Sequence, residues 1–324
     1  MADTCHVTAP ANLLLMGEYA VLEEGGLGIG VAPDVRATGT SVPGADEVVG
    51  HLPAGVARQS VRWPGDEGLL GRVADYLATE VGGGPGSVTL DTSAFFDRDG
   101  RKRGLGSSAA VAVVLTALWM LRSGKLEEGP GSVDAVFRHA VEAHRAGQGG
   151  AGSGYDVACS CYGGAVLFTG GDEPQAVPIE LPWLPTLAVF PGRQAVRTVG
   201  AVERLAQWRN AHPDAWQAFL RTSNELVAAF AKAGSWTAAA GILEEYRSLT
   251  VSLGADIGVP AQIAPPPEVP RRTFSKAVGA GNELGVAFVR PPQEQSMDFV
   301  DGPDSPLRQL GIAETGVSWS GGEK

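Results

Sequence analysis

Cysteine is scarce: Cys5, Cys159 and Cys161 are the three in a chain of 324 residues. Their spacing offers neither a disulfide framework nor a zinc site, so a reduced, cytoplasmic setting is expected. Positive charge is also short. Lys and Arg number 25 against 36 Asp and Glu, a net charge of −11. A general nucleic-acid binder needs a basic face, so no nucleic-acid partner is expected. Long hydrophobic runs are missing too. Leu13-Leu14-Leu15-Met16 is too short to span a bilayer, and Glu18 closes it. Asp3 and the lack of a basic start argue against a signal peptide, and no membrane partner is expected. There is no internal repeat and no long low-complexity tract.

What the chain does have is glycine, 45 residues of it, within a globular balance of 44% hydrophobic and 19% charged residues. The length favours two domains or one large one. Residues 5–9 and 12–17 read as strands parted by Pro10, and 27–40 as a strand region broken at Pro33-Asp34. Val88 to Thr92 alternates like a strand. Ser107 to Leu121 is uncharged, rich in Ala and Leu and opens with two serines that can cap a helix. A helix apolar all round is a buried one. Residues 133–146 form an amphipathic helix, and Gly163 to Thr169 resumes a strand. A connector rich in Gly and Pro fills 171–185, and the domain boundary is placed there, giving 1–180 and 181–324. Beyond it come a strand at Leu187 to Phe190, helices at 199–210, 213–232 and 236–252, a Pro-rich break at 259–270 and a strand at Gly285 to Arg290. Strands and helices mix in both halves, which predicts an α+β fold with two lobes.

The densest chemistry is Gly104-Leu105-Gly106-Ser107-Ser108-Ala109-Ala110 at the head of the buried helix. Two glycines let the backbone turn tightly and approach a ligand without a Cβ in the way. The first N–H groups of a helix have no internal partner, and with the helix dipole they favour an anion. Ser107 and Ser108 add hydroxyls able to reach phosphate oxygens or magnesium. No Gly-Lys-Ser/Thr comes after it, so the loop is not a Walker A sequence. An ordinary N-capped helix after a glycine turn fits the same residues. Upstream, Asp99-Gly100-Arg101-Lys102-Arg103 places three cations where an anion would arrive.

Two further stretches stand out. Gln148-Gly149-Gly150-Ala151-Gly152-Ser153-Gly154-Tyr155-Asp156 is a costly run of glycines, tolerated where something must fit closely. Asp156 at its end can orient or deprotonate an attacking group, or simply cap the segment after it. Cys159 and Cys161 read as packed thiols. Lys276-Ala277-Val278-Gly279-Ala280-Gly281 either covers a ligand or is a glycine turn joining a helix to a strand.

Three segments in this order resemble the signatures of the superfamily containing galactokinase, homoserine kinase, mevalonate kinase and phosphomevalonate kinase. They are Ala9 to Glu23, Gly104 to Ala110 and Ser275 to Phe288. Gly17-Glu18-Tyr19-Ala20-Val21-Leu22-Glu23, Asp99 to Lys102 and Gly152 to Ala158 with Tyr162-Gly163-Gly164 are most similar to the phosphomevalonate kinases. The resemblance is strong from residue 5 to about 168 and thin beyond.

The resemblance implies an N-terminal ribosomal-S5-like, ATP-binding lobe and a C-terminal ferredoxin-like, substrate and lid lobe with the active site between them. It implies transfer of the ATP γ-phosphoryl group to 5-phosphomevalonate, with ATP and Mg2+ as cofactors and a small anionic metabolite as partner, in a monomer or homodimer. Gly104, Leu105, Gly106, Ser107, Ser108 and Ala109 would hold the triphosphate, with Ser108 near magnesium. Lys102 would meet an anion, and Asp156 would position the acceptor. Asn12, Glu18, Tyr19, Ser153, Gly154, Arg193 and Arg197 would line the substrate. Glu142 is a candidate to join Ser108 at the metal, or a surface salt-bridge residue. Two departures matter. Relatives carry Lys where Asn12 stands, and Gly279 to Gly285 is shorter and poorer in glycine than their third signature. Another acceptor such as mevalonate, or a degenerate relative that binds without transferring phosphate, are the alternative readings.

Overall fold

The computed structural model describes residues 4–51, 61–126, 129, 131–150, 152–184, 186–192, 198–269, 273–279, 281, 284–289 and 308–321. In chain order the first elements are β1 (Cys5–Pro10), β2 (Leu13–Met16), β3 (Leu27–Val31), β4 (Arg36–Val42), β5 (Glu47–His51), β6 (Val61–Trp63), α1 (Leu69–Glu80) and β7 (Ser87–Asp91). Next come α2 (Ser107–Arg122), α3 (Ser132–Gly147), α4 (Tyr155–Tyr162), β8 (Ala165–Thr169), β9 (Gln175–Ile179) and β10 (Thr186–Pro191). The chain ends with α5 (Thr198–Ala211), α6 (Pro213–Ala231), α7 (Trp236–Asp256), β11 (Phe274–Val278), β12 (Leu284–Val289), β13 (Arg308–Leu310) and β14 (Ser318–Ser320). The fold is α+β.

Two compact units cut across chain order: Met1–Leu13 with Gly30–Val166 and Ile312–Lys324, and Leu14–Ile29 with Leu167–Gly311. The first unit is built on a six-stranded sheet in the order β14-β1-β4-β7-β5-β6. Neighbours are antiparallel except β5 and β7, which run parallel with Glu47 opposite Ser87. Helix α2 packs on β1 and β4 and is flanked by α1, α3 and α4. Its all-round apolar sequence is explained by that position: every residue from Ala112 to Met120 is buried. Gly39 on β4 makes room for it, since a Cβ there would sit 2.5 Å from Val114 Cγ1.

In the second unit a four-stranded antiparallel sheet runs β11-β12-β10-β13. Helices α6 and α7 pack on each other, and Trp236 at the start of α7 stacks on Phe288 of β12 with centroids 5.5 Å apart. A separate cluster gathers Tyr19, Ala20, Leu205, Trp216, Phe219 and Leu253. The remaining sheet, β2-β3-β8-β9, lies mostly in this unit.

Local differences from the sequence expectations have physical causes. The 171–185 connector contains β9, a strand whose residues are half-buried or exposed and so lack an apolar signature. Tyr155 to Tyr162, whose cysteines alternate, is a two-turn helix with both thiols inside. Gly279 comes after a strand rather than a helix, between β11 and β12.

Candidate active site

Helix α2 begins at Gly106, whose φ of 71° is left-handed, a conformation open to glycine and strained for other residues. No side chain caps this terminus among the described residues. The two serines expected as possible caps are instead its first two helical residues, because the glycine occupies the cap position. The N–H groups of Ser107, Ser108 and Ala109 are therefore the unpaired donors of the first turn, while Ala110 N bonds back to Gly106 O at 3.3 Å. Ser107 and Ser108 are half-buried, and Ala109 is buried.

Asn12 holds this loop from behind. Its backbone N–H donates to Leu105 O at 3.1 Å. Its side-chain amide donates to Gly106 O at 3.0 Å and to Ser160 Oγ on α4 at 3.3 Å. Asn12 is 4% exposed, so in this unit it is a tether between the α2 terminus and α4.

The cations upstream sit on a small turn. Asp97 Oδ1 accepts from Asp99 N at 3.0 Å and Arg101 N at 2.8 Å, and Lys102 bridges to Phe96. Arg103 is turned inward, its Nε donating to Phe96 O at 3.0 Å. Arg101 and Lys102 remain exposed.

The second glycine run ends in α4. Gly154 is its left-handed N-terminal residue, with φ of 95°. Arg145 on α3 gathers the segment, donating to Gly152 O at 3.0 Å and Ser153 O at 3.4 Å. Arg145 also pairs with Glu142 at 2.8 Å, which gives Glu142 the salt-bridge role. Asp156 lies in the first turn of α4, its side chain 20% exposed. One carboxylate oxygen accepts from Val157 N at 2.9 Å, and the other is 3.6 Å from His144 Nδ1. Burial, and then the Asp156 charge, push the Cys159 thiol well above its usual range.

Glu18 and Tyr19 belong to the second unit and are 4% and 8% exposed. Glu18 forms a buried ion pair with Lys276 of β11. The Lys276 ammonium also donates to Leu15 O at 2.8 Å and lies 5.6 Å from the Tyr246 ring centroid. The Tyr246 hydroxyl accepts from Gly17 N at 2.6 Å. Tyr19 is the non-glycine residue with positive φ among the described residues, at 66°, a strained conformation of the kind found at functional sites. Burial, and then the Glu18 charge, push its phenol up to about 12. The second Glu18 oxygen and the Tyr19 hydroxyl are buried with no hydrogen-bond partner among the described residues. In the sequence Lys276 reads only as the start of a glycine turn; its pairing with Glu18 across 258 positions carries no local signal. Arg193, Arg197 and, in the third signature, Ala280, Asn282 and Glu283 lie outside the described residues.

A helix terminus whose first N–H groups are unpaired can receive an anion, and an acidic residue opens the neighbouring helix α4. Residues 69–164 match the family described as GHMP kinases N terminal domain. The chain is 33% identical over 190 residues to a phosphomevalonate kinase of Streptomyces sp. (strain CL190), covering 51% of this chain and 49% of that protein. The chain thus spans about half the length of the curated relatives it matches. Among solved structures, the Lin0012 protein of Listeria innocua superposes with a TM-score of 0.75 at 21% identity, over 98% of this chain and 99% of that one. Streptococcus pneumoniae phosphomevalonate kinase in complex with phosphomevalonate and AMPPNP superposes with a TM-score of 0.72 at 18% identity, over 95% and 98%.

Proposed function

We propose that this chain is an ATP-dependent small-molecule kinase whose acceptor is 5-phosphomevalonate. The observation that carries the reading is the open start of α2, where a left-handed glycine replaces any side-chain cap. The ATP tail would lie against the N–H groups of Ser107, Ser108 and Ala109, with Gly104 and Gly106 allowing close approach. Bound ATP supplies the phosphoryl group that moves. Magnesium, when bound, would neutralise the substrate phosphates, and the Ser108 hydroxyl would offer it an oxygen.

Lys102, exposed beside the loop, would meet an anionic phosphate, since its ammonium acts as a point charge. Asp156 would set the acceptor in line rather than strip a proton, because a phosphate acceptor is already ionised at neutral pH. Glu18, Tyr19, Ser153, Gly154, Arg193 and Arg197 are assigned to the acceptor, while Asn12, whose amide is spent on Gly106 and Ser160, holds the α2 loop. The buried, unpartnered Glu18 oxygen and Tyr19 hydroxyl support this, since orphaned polar atoms cost about 1–3 kcal/mol each until something pairs with them. The ATP-binding lobe, expected over 1–180, would be the unit that holds α2, and the substrate and lid lobe, expected over 181–324, the unit that holds α6 and α7. Three free, buried cysteines support a reduced, cytoplasmic setting.

ADP release with ATP and magnesium, measured against 5-phosphomevalonate, mevalonate, mevalonate diphosphate, galactose and homoserine, tests the reading. Turnover confined to 5-phosphomevalonate supports it. Preference for an unphosphorylated acceptor would reassign the substrate, and nucleotide binding without turnover would remove the kinase activity.

A further inference from the structure

We propose that His144 is a positioning residue for Asp156, holding its carboxylate through the Nδ1 proton while Gln148 fixes the imidazole. The inference rests on the reading of Asp156 as the residue that sets the acceptor.

His144 belongs to none of the sequence signatures, yet its surroundings are specific. It sits in the last turn of α3 and is 2% exposed. Its Nε2 lies 3.0 Å from Gln148 Nε2, one helical turn further on. An amide nitrogen only donates, so the imidazole Nε2 accepts and the ring proton resides on Nδ1. That Nδ1 is the atom 3.6 Å from Asp156 Oδ2. The separation exceeds a direct hydrogen bond, and such contacts tighten when a substrate is seated. The remaining Asp156 oxygen accepts from Val157 N at 2.9 Å. One carboxylate oxygen is thus bonded to Val157 N, and the other faces His144.

The arrangement also explains why the histidine is buried at all. Imidazole desolvation is costly unless both nitrogens have partners. Here one nitrogen is satisfied by Gln148 just past the end of α3, and the other stands 3.6 Å from the Asp156 carboxylate on α4, which packs against α3. Arg145, the next residue, clamps the backbone just before α4 at Gly152 and Ser153. The last turn of α3 thus meets the Asp156 segment twice: Arg145 is bonded to its backbone, and His144 stands 3.6 Å from its carboxylate.

The test separates orientation from packing. The amide nitrogen of Asn stands close to the place of an imidazole Nδ1, and that of Gln close to Nε2. His144→Asn keeps a donor for Asp156, whereas His144→Gln and His144→Leu remove it. Misplacing a reacting group by about 1 Å can cost about 100-fold in rate. On that scale His144→Gln and His144→Leu are expected to lower kcat by about 10- to 100-fold with KM for ATP within about twofold. His144→Asn should stay within about threefold of the parent kcat. Equal kcat losses in all three, tracking their melting temperatures, would overturn the proposal.

A second measurement does not depend on turnover. Nitrogen-15 spectra of the imidazole should show Nδ1 protonated and Nε2 bare in the parent, with the Nδ1 signal displaced in Asp156→Asn. A proton on Nε2 alone, or indifference to Asp156→Asn, overturns the proposal. Near-normal turnover of Asp156→Asn would instead defeat the role assigned to Asp156, and the positioning role with it, even where the spectra show the contact.

Discussion

The side-chain amide of Asn12 donates to the carbonyl oxygen of Gly106 at 3.0 Å, and a Cβ on Gly106 would come within 1.9 Å of Asn12 Oδ1. The pair fit each other: the glycine has the left-handed turn and the small size, and the asparagine fills the space and satisfies the carbonyl. The resemblance implies Lys at the position of Asn12, which would bring a charge there. In this chain the position is 4% exposed and committed to hydrogen bonds with α2 and α4.

Restoring a lysine is therefore expected to harm. Asn12→Lys must push a longer, charged chain into a buried site already holding Gly106 and Ser160, and overpacking alone costs about 1–3 kcal/mol. The predicted outcome is a lower melting temperature and a raised KM for ATP. A gain in kcat without loss of stability would show that the missing charge limits the rate.

Asp156→Asn keeps the shape and the contact to Val157 while removing the charge. If Asp156 positions the acceptor, kcat falls by about 100-fold. Nucleotide affinity, measured by calorimetry, should change by no more than about twofold. A large loss of ATP affinity with kcat intact would move Asp156 from the acceptor to the nucleotide.

The Glu18–Lys276 pair gives a prediction about folding. Both side chains are at most 4% exposed. Removing one partner of a buried pair strands the other charge, at a cost of about 3–5 kcal/mol. Lys276→Met is expected to destabilise the protein by that order in urea unfolding. The double change Glu18→Gln with Lys276→Met should recover much of the loss, and additive losses would contradict the coupling.

Tyr19 predicts an alkaline limit. Its folded-state pKa is raised to about 12 from an ordinary value of 10.0. The folded chain holds the proton that the unfolded chain releases, so the stabilisation is complete below pH 10.0 and is lost as pH rises towards 12. Tyr246 is pushed up as well, by burial first and then by Glu18, and steepens the same decline. Tyr19→Phe should flatten the fall in melting temperature over this window; an unchanged slope would contradict the assigned environment.

How much of the fold and site is legible in the sequence depends on range. Helices α2, α3, α5, α6 and α7 are long and either apolar throughout or periodic, and their patterns stand in the sequence. The glycine loop is legible because unusual composition is local. Helix α1 is missing from the sequence expectations although Leu70, Val73, Ala74 and Leu77 line its buried face at helical spacing. Strands β5, β6, β9, β13 and β14 are short and offer few residues to show an alternation. In the site, Asn12 with Gly106, His144 with Asp156 and Glu18 with Lys276 are pairs made by the fold. Only the middle pair lies close in sequence, and its signal, a histidine one helical turn before Gln148, is covered by the louder glycine run.

The central claim is that the unpaired amides at the start of α2 receive the ATP phosphates. A crystal structure with a non-hydrolysable ATP analogue and magnesium tests it most directly. The account predicts phosphate oxygens within hydrogen-bond distance of the Ser107, Ser108 and Ala109 N–H groups, with the Ser108 hydroxyl beside the metal. Phosphates bound elsewhere, with that terminus left to water, would contradict it.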